Sequence, residues 1–227
     1  MNYPDLLFDA DDTLFNFPKA AAQAFSALCQ VHQLPDTPET RQLYHVINLE
    51  LWAAFERREI TKEQVTHARF VRFLRALGSA QDPDACNATY LEALGRSVFP
   101  LPQAEEVCRE LKRRGHRLWI ITNAVASVQR SRLKRCPFGE VFSGAFISEE
   151  AGAAKPDAAY YRYVFSQVPE LDPAHCLAIG DSLSSDIRGA NNAGLPCCWF
   201  NPQGKPAAPG LRIDYEIREL RQLLEIV

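Results

Sequence analysis

Asp9 and Asp11 stand two positions apart in the segment Asp9-Ala10-Asp11-Asp12-Thr13, directly after the apolar run 6–8. Carboxylates at that spacing can divide the labour of one reaction. Asp9 can attack phosphorus, because carboxylates form acyl-phosphates. Asp11 can protonate a leaving oxygen and later take a proton from water. The backbone N–H groups of such a loop can also bind phosphate oxygens. The plainer reading is an acidic turn after a strand, since turns favour Asp.

Three further segments supply what that chemistry lacks. Thr122-Asn123 offers a hydroxyl and an amide that can donate to a phosphate, although both residue types also cap helices. Lys155-Pro156 offers a point cation, although most lysines are merely solvated. Gly180-Asp181-Ser182, with Asp186 five residues after Asp181, offers carboxylates that can hold a metal, although acids also start helices. Asp9 and Asp181 together make a hard-oxygen set suited to Mg²⁺, which keeps several waters and takes few protein ligands. Each segment alone has an ordinary structural explanation. Together they form a complement: a dianionic phosphate meets a carboxylate only where a cation and donors offset the repulsion.

These groups cooperate only if the fold brings them to one edge. Each follows a strand-like run: 6–8, 118–122, 141–147 and 176–179, with a further strand at 197–200. Helical periodicity separates the runs, at 103–114, 127–134, 158–167, before 197, and again at 217–226. Alternating strands and helices indicate a parallel sheet, and ligands bind beyond its strand C-termini. The first strand has nothing else to pair with, so it belongs to that sheet. Residues 18–98 hold no strand candidate. Ala21, Ala24, Phe25, Leu28 and Val31 share one helical face; Leu43, Ile47, Leu51 and Phe55 share another; Val65, Ala68, Val71 and Leu74 share a third. Thr37-Pro38, the Thr61/Gln64 capping box and Asp82-Pro83 start helices, and Gly78 stops one. The expected fold is α/β: a doubly wound, Rossmann-like parallel sheet core of residues 1–17 and 99–227 with an inserted all-helical cap domain, 18–98.

Composition narrows the function classes. The formal net charge over 227 residues is −3, so no global field recruits nucleic acid or an anionic membrane. The seven cysteines show no Cys-x-x-Cys spacing and read as buried thiols. There is no signal-peptide pattern and no run of about 20 apolar residues. A cytoplasmic protein is expected, with a small phosphorylated metabolite as partner, no nucleic acid and no membrane. The oligomeric state stays open.

The four segments resemble, in order, the motifs of the haloacid dehalogenase superfamily of phosphohydrolases. The helical insert resembles the cap of that superfamily's first subgroup. The resemblance implies Asp9 as nucleophile and Asp11 as general acid/base, with Thr122 and Lys155 at the phosphate, where the residue types also place Asn123. It implies Mg²⁺ held by Asp9, the backbone carbonyl of Asp11, and Asp181, with Asp186 supporting through water. True haloacid dehalogenases lack an acid at the position of Asp11, so its presence favours phosphoryl chemistry. The segments LLFDADDTLFNF, ITKEQVTHARF, FPLP, ISEEAGAAKPD and GDSLSSDIRGANNAG are further similar to bacterial pyrimidine 5′-nucleotidases. That implies a hydrolase of nucleotide metabolism acting on pyrimidine nucleoside monophosphates. Ala124 stands where those enzymes usually have Gly, and Ala153-Ala154 where they have Val-Ala.

Other readings remain open at this point. One is a phosphosugar or phosphoglycolate phosphatase, or a phosphosugar mutase, on the same scaffold. Another is a non-catalytic binder of phosphorylated ligands, although a binder needs no acid/base pair. Trp52, Phe55 and Arg69 are candidates for touching a base or sugar, with packing inside the cap as the stronger reading for Trp52 and Phe55.

Overall fold

The computed structural model describes residues 2–227. Its strands are β1 (Asp5–Phe8), β2 (Arg117–Thr122), β3 (Phe142–Ile147), β4 (Cys176–Gly180), β5 (Cys197–Phe200) and β6 (Tyr215–Ile217). All pair in parallel, in the order β3-β2-β1-β4-β5-β6. The helices, in chain order, are α1 (Phe17–His32), α2 (Pro38–Glu56), α3 (Lys62–Leu77), α4 (Pro83–Arg96), α5 (Ala104–Arg113), α6 (Ala126–Arg135), α7 (Ser148–Ala151), α8 (Ala158–Gln167), α9 (Arg188–Ala193) and α10 (Leu223–Ile226). The chain divides into two compact units: one runs to Phe17 and resumes at Val98, and the other is Pro18–Ser97.

The sheet unit has two cores because its strands are buried on both faces. Along β1, Leu6 and Phe8 join one cluster with Val107 and Leu111 of α5 and Leu223 of α10. Leu7 joins the opposite cluster with Tyr160, Tyr161 and Val164 of α8 and Ala190 of α9. This is the period-two alternation of a strand between two helical layers. β1 lies between β2 and β4, where the strand order turns back, and β1, β2 and β4 end there on the same edge. Such a reversal leaves a crevice at the strand C-termini.

The helical unit is organised by caps and aromatics. Thr37 and Thr61 each form a reciprocal capping box with the residue three positions on. Gly78 closes α3 at φ +63°, a conformation that penalises any side chain. Phe25, Tyr44, Phe70, Phe73 and Tyr90 pack ring on ring, with centroids 5.1 Å apart for the Phe25–Tyr44 pair and 5.4 Å for Tyr44–Tyr90.

The structure departs from the sequence expectations in three places. Val31 and Val71 are 64% and 38% exposed, not buried. On α3 Val65 and Leu74 are buried as expected, but the rest of the inward face belongs to Arg69, Phe70 and Phe73, which leaves Val71 outward. On α1 the chain turns back three residues after Val31, where Leu34 N–H donates to Cys29 O, and Val31 stays exposed on the last turn. The expected helix 217–226 is instead β6, a single 3₁₀ turn at Leu220–Gln222, and the short α10. Ile217 is a strand residue because Phe200 of β5 pairs with it. All seven cysteines are buried and free. Among the described residues, no helix is long and apolar enough to cross a membrane.

Candidate active site

Asp9 follows directly on β1, and its N–H donates to Ile179 O of β4 at 2.8 Å. The carboxylate thereby sits at the edge where β1, β2 and β4 end. The loop after it is wound tightly: Leu14 and Phe15 N–H both donate to Ala10 O. Asp12 takes φ +60°, a left-handed conformation that Asp tolerates, and its side chain accepts from Phe17 N–H at 3.1 Å.

Lys155 links the segments. Its ammonium donates to Asp9 Oδ1 at 2.6 Å, to Asp186 Oδ1 at 2.7 Å and to the Ile121 carbonyl at 2.9 Å. Those contacts use all three ammonium protons. The side chain is buried, and its loop is tied from behind: Asn123 Oδ1 accepts from Lys155 N–H at 2.9 Å and Asn123 Nδ2 donates to Lys155 O at 2.8 Å. Asn123 therefore spends its amide oxygen and one of two N–H bonds on positioning the lysine. Thr122 is buried, and its hydroxyl oxygen accepts from Ala124 N–H, leaving the hydroxyl proton to donate.

Asp181 and Asp186 come from the end of β4 and the turn after it. Leu183–Ile187 forms one π-helical turn, a feature frequent at functional sites. It folds Asp186 back so that Oδ2 accepts from Ser182 N–H at 3.0 Å. A Cβ at position 180 would lie 2.3 Å from that oxygen, so only glycine fits there. Thr13 Oγ1 donates to Asp181 Oδ1 at 3.4 Å.

One oxygen from each of Asp9, Asp181 and Asp186 lies within 4.8 Å of the others. Three carboxylates thus face one ammonium. Burial, then the neighbouring Asp186 and Asp181, hold Asp9 well above the usual carboxylate range against the pull of Lys155. Burial and Asp186 push Asp181 up to about 7. Burial also works to lower Lys155, but Asp186 and Asp9 outweigh it and hold the ammonium well above its ordinary value. The cluster is short of positive charge, entirely oxygen-donating, and compact enough for neighbouring positions on one hard cation, whose ligands sit about 2.1 Å from it. The residues present fit a magnesium ion.

Asp11 is placed differently. Its carboxylate accepts from Arg132 Nη1 of α6 at 2.5 Å and is not part of the acidic cluster. Trp52, Phe55 and Arg69 all belong to the helical unit. Trp52 and Phe55 pack edge to face at 5.5 Å, and the Arg69 guanidinium lies 4.7 Å from the Tyr90 ring centroid and donates to Asn87 Oδ1. Sequence reasoning missed Thr13 and Arg132. Arg132 had a signal: Gln129 and Arg132 occupy inward helical positions beside Val128, where apolar residues belong.

Residues 6–194 match the family of haloacid dehalogenase-like hydrolases. The chain belongs to that family. It is 36% identical over 225 residues to the HAD-hydrolase YfnB of Bacillus subtilis, covering 99% of this chain and 95% of that one. The crystal structure of YfnB bound to magnesium superposes with a TM-score of 0.92, covering 99% of this chain and 98% of YfnB. Two further hydrolase relatives match at full length. Pyrimidine 5′-nucleotidase PynA of Streptococcus pneumoniae is 31% identical, covering 99% and 95% of the two chains. Pyrimidine 5′-nucleotidase YjjG of Escherichia coli is 30% identical, covering 100% and 99%.

Proposed function

We propose that this hydrolase is a magnesium-dependent phosphatase that acts through an aspartyl-phosphate on Asp9, with pyrimidine nucleoside 5′-monophosphates as substrates. The observation that carries the reading is the Asp9 carboxylate itself. Lys155 holds Oδ1, whereas Oδ2 accepts no hydrogen bond from any described residue and stands at the open strand edge. A carboxylate with one oxygen anchored and one free is oriented for attack.

Asp9, the Asp11 main-chain carbonyl and Asp181 are the residues to hold Mg²⁺, with Asp186 supporting through water. When bound, the ion supplies the positive charge that lets a phosphate dianion approach a carboxylate. The remaining steps belong to the chain. Asp9 Oδ2 attacks phosphorus, and the bond from phosphorus to the ester oxygen breaks. Asp11 delivers a proton to that oxygen, so a neutral alcohol leaves. Asp11 then takes a proton from water as the water attacks the phosphorus of the aspartyl-phosphate. Inorganic phosphate departs and Asp9 is restored. Lys155 stays as a fixed counter-charge beside the nucleophile, and Thr122 Oγ1 donates to a phosphate oxygen.

The nucleotide preference rests on PynA and YjjG, which this chain matches end to end. A one-ring base also needs a smaller pocket than a two-ring base, although size alone gives only modest discrimination. The test is kcat/KM for uridine, thymidine, adenosine and guanosine 5′-monophosphates, with phosphoglycolate and glucose 6-phosphate alongside. The pyrimidines are expected to give the highest values. A purine or phosphosugar in first place removes the nucleotide reading and leaves the phosphatase chemistry standing.

A further inference from the structure

Arg132 is among the largest fully buried side chains of the protein, and it is a cation. It projects from α6 into the sheet unit. Its Nη1 donates to Asp11 Oδ1 at 2.5 Å and to Gln129 Oε1 at 3.2 Å. The guanidinium carbon lies 5.1 Å from the Phe15 ring centroid, so the aromatic face closes one side. Nε and Nη2 are buried and make no hydrogen bond with any described residue, and neither does Gln129 Nε2. Asp11 is the sole carboxylate paired with it among the described residues.

Such a residue is expensive as a structural element. A buried ion pair is weak evidence for stability, because desolvation offsets most of the attraction and an apolar side chain of similar volume does as well. Three of this guanidinium's five N–H donors are left unpaired besides. What the arrangement does achieve is a fixed orientation. The Asp11 side chain is 26% exposed and stands on a loop, where a carboxylate otherwise samples several rotamers. Arg132 holds Oδ1 from below. A guanidinium cannot accept a proton, so a proton on Asp11 must reside on Oδ2, the oxygen that no described residue binds.

We infer that Arg132 is a positioning residue for the general acid/base: it fixes the rotamer of Asp11 and reserves Oδ2 as the oxygen that gives and takes the proton. This rests on the phosphatase reading. Arg132 touches neither phosphate nor nucleophile in this scheme, and it acts only through Asp11. Its loss therefore falls on proton delivery to the leaving group and not on substrate binding.

The experiment compares Arg132→Met and Arg132→Lys with wild type on a nucleoside monophosphate, whose alcohol needs a proton to leave, and on p-nitrophenyl phosphate, whose leaving group does not. Arg132→Met is expected to lower kcat on the nucleotide by on the order of 10–100-fold, the range for loss of a residue that orients a reacting group. KM should stay within about threefold, and kcat on the aryl phosphate should fall by less than about fivefold. Arg132→Lys, which keeps a donor and the charge, should recover part of the nucleotide rate. In an Asp11→Asn background Arg132→Met should add less than about twofold, because the residue it serves is already gone. Equal losses on both substrates, or losses that add across the two substitutions, overturn the inference. Should Arg132→Met fail to fold, the ratio of the two rates in Arg132→Lys decides alone: an unchanged ratio overturns it. A wild type that hydrolyses neither substrate removes the phosphatase reading, and this inference with it.

Discussion

β1 carries an aspartate at one end and another just past the opposite end, and the two are treated in opposite ways. Asp5 and Asp9 are both buried. Asp5 receives three donors: Arg117 Nε and Nη2 at 2.6 Å each, one to either oxygen, and Trp119 Nε1 at 3.1 Å. Nothing is left over. Asp9 receives one ammonium, shares it with Asp186, and faces Asp181 as well. Charge is balanced at the N-terminal edge of the sheet and left uncompensated at the C-terminal edge. The same fold, the same strand and the same residue type give a fastener in one place and, in the other, the carboxylate proposed as nucleophile. The difference lies in the count of partners. Sites under such strain are where function concentrates, because folding alone would have relaxed them.

Asp9→Asn should break the contrast most severely. It removes the proposed nucleophile and proposed metal ligand while keeping an oxygen for Lys155. Turnover of any phosphate monoester should fall by on the order of 10⁴-fold or more, as when a nucleophile is deleted elsewhere. The melting temperature in EDTA should hold or rise, because a buried charge facing two others is gone. A variant that melts well below wild type, or keeps more than about 1% of its rate, makes Asp9 the structural residue and Asp5 no longer its opposite.

Removing the cation comes next. EDTA should abolish turnover, and Asp181→Asn should raise the magnesium concentration for half-maximal rate by on the order of tenfold or more. An unchanged magnesium titration in that variant would strike Asp181 from the ligand set.

The uncompensated edge also predicts a pH dependence. Asp181 moves from an ordinary 3.8 to about 7 in the folded, metal-free protein. Between those values the folded state holds a proton that the unfolded chain has released. Stability of the metal-free protein therefore falls as pH rises from about 4 to about 7, by roughly 4 kcal/mol if the whole shift is expressed. Magnesium competes with that proton, so its affinity should drop about tenfold per pH unit below about 7. Thermal melts in EDTA and calorimetric titrations from about pH 5.5 to about pH 8 read both slopes. A metal-free protein that grows more stable over that window contradicts the charge count at this edge.

The sheet and its acidic edge were legible in the sequence for a common reason. Buried parallel strands are short apolar runs, and the acids Asp9 and Asp181 interrupt them abruptly at the end. The runs Leu118 to Thr122 and Cys176 to Ile179 needed no partner to be recognised, and the strands observed are Arg117–Thr122 and Cys176–Gly180. β6 was hidden because its three residues, Tyr215-Glu216-Ile217, are too short a run to read and owe their conformation to pairing with β5. In the helical unit the caps were readable, since Thr37 and Thr61 act within one turn. The inward faces were less so: Tyr44 and Arg69 point inward because a cluster of rings accepts them, and ring packing is not a property of spacing. At the site the acids and Lys155 were visible as residue types, but their division was not. That Asn123 holds the lysine loop, and that Arg132 holds Asp11, depends on contacts 32 and 121 positions apart.

The smallest expected change in rate comes from Asp5→Asn, and it sharpens the comparison most. Asp5 and Asp9 are four residues apart along an extended strand, roughly 13 Å. Asn keeps an oxygen for Trp119 or for one Arg117 nitrogen, but it loses the charge and the second acceptor. The Arg117 side chain is 40% exposed, so water takes over part of its solvation and the cost is discounted accordingly. A loss of about 1–2 kcal/mol is expected, or about 3–6 °C in melting temperature for a chain of this size. Turnover and the magnesium requirement should stay within about twofold of wild type, because no described contact runs from Asp5 to the acidic cluster except β1 itself. Urea or thermal unfolding set beside kcat on one nucleotide gives both numbers from one preparation. If rate falls in step with stability, β1 transmits strain from one end to the other and the two aspartates are not independent. If stability falls and rate does not, partner count alone separates a carboxylate that holds the sheet together from one that is free to react.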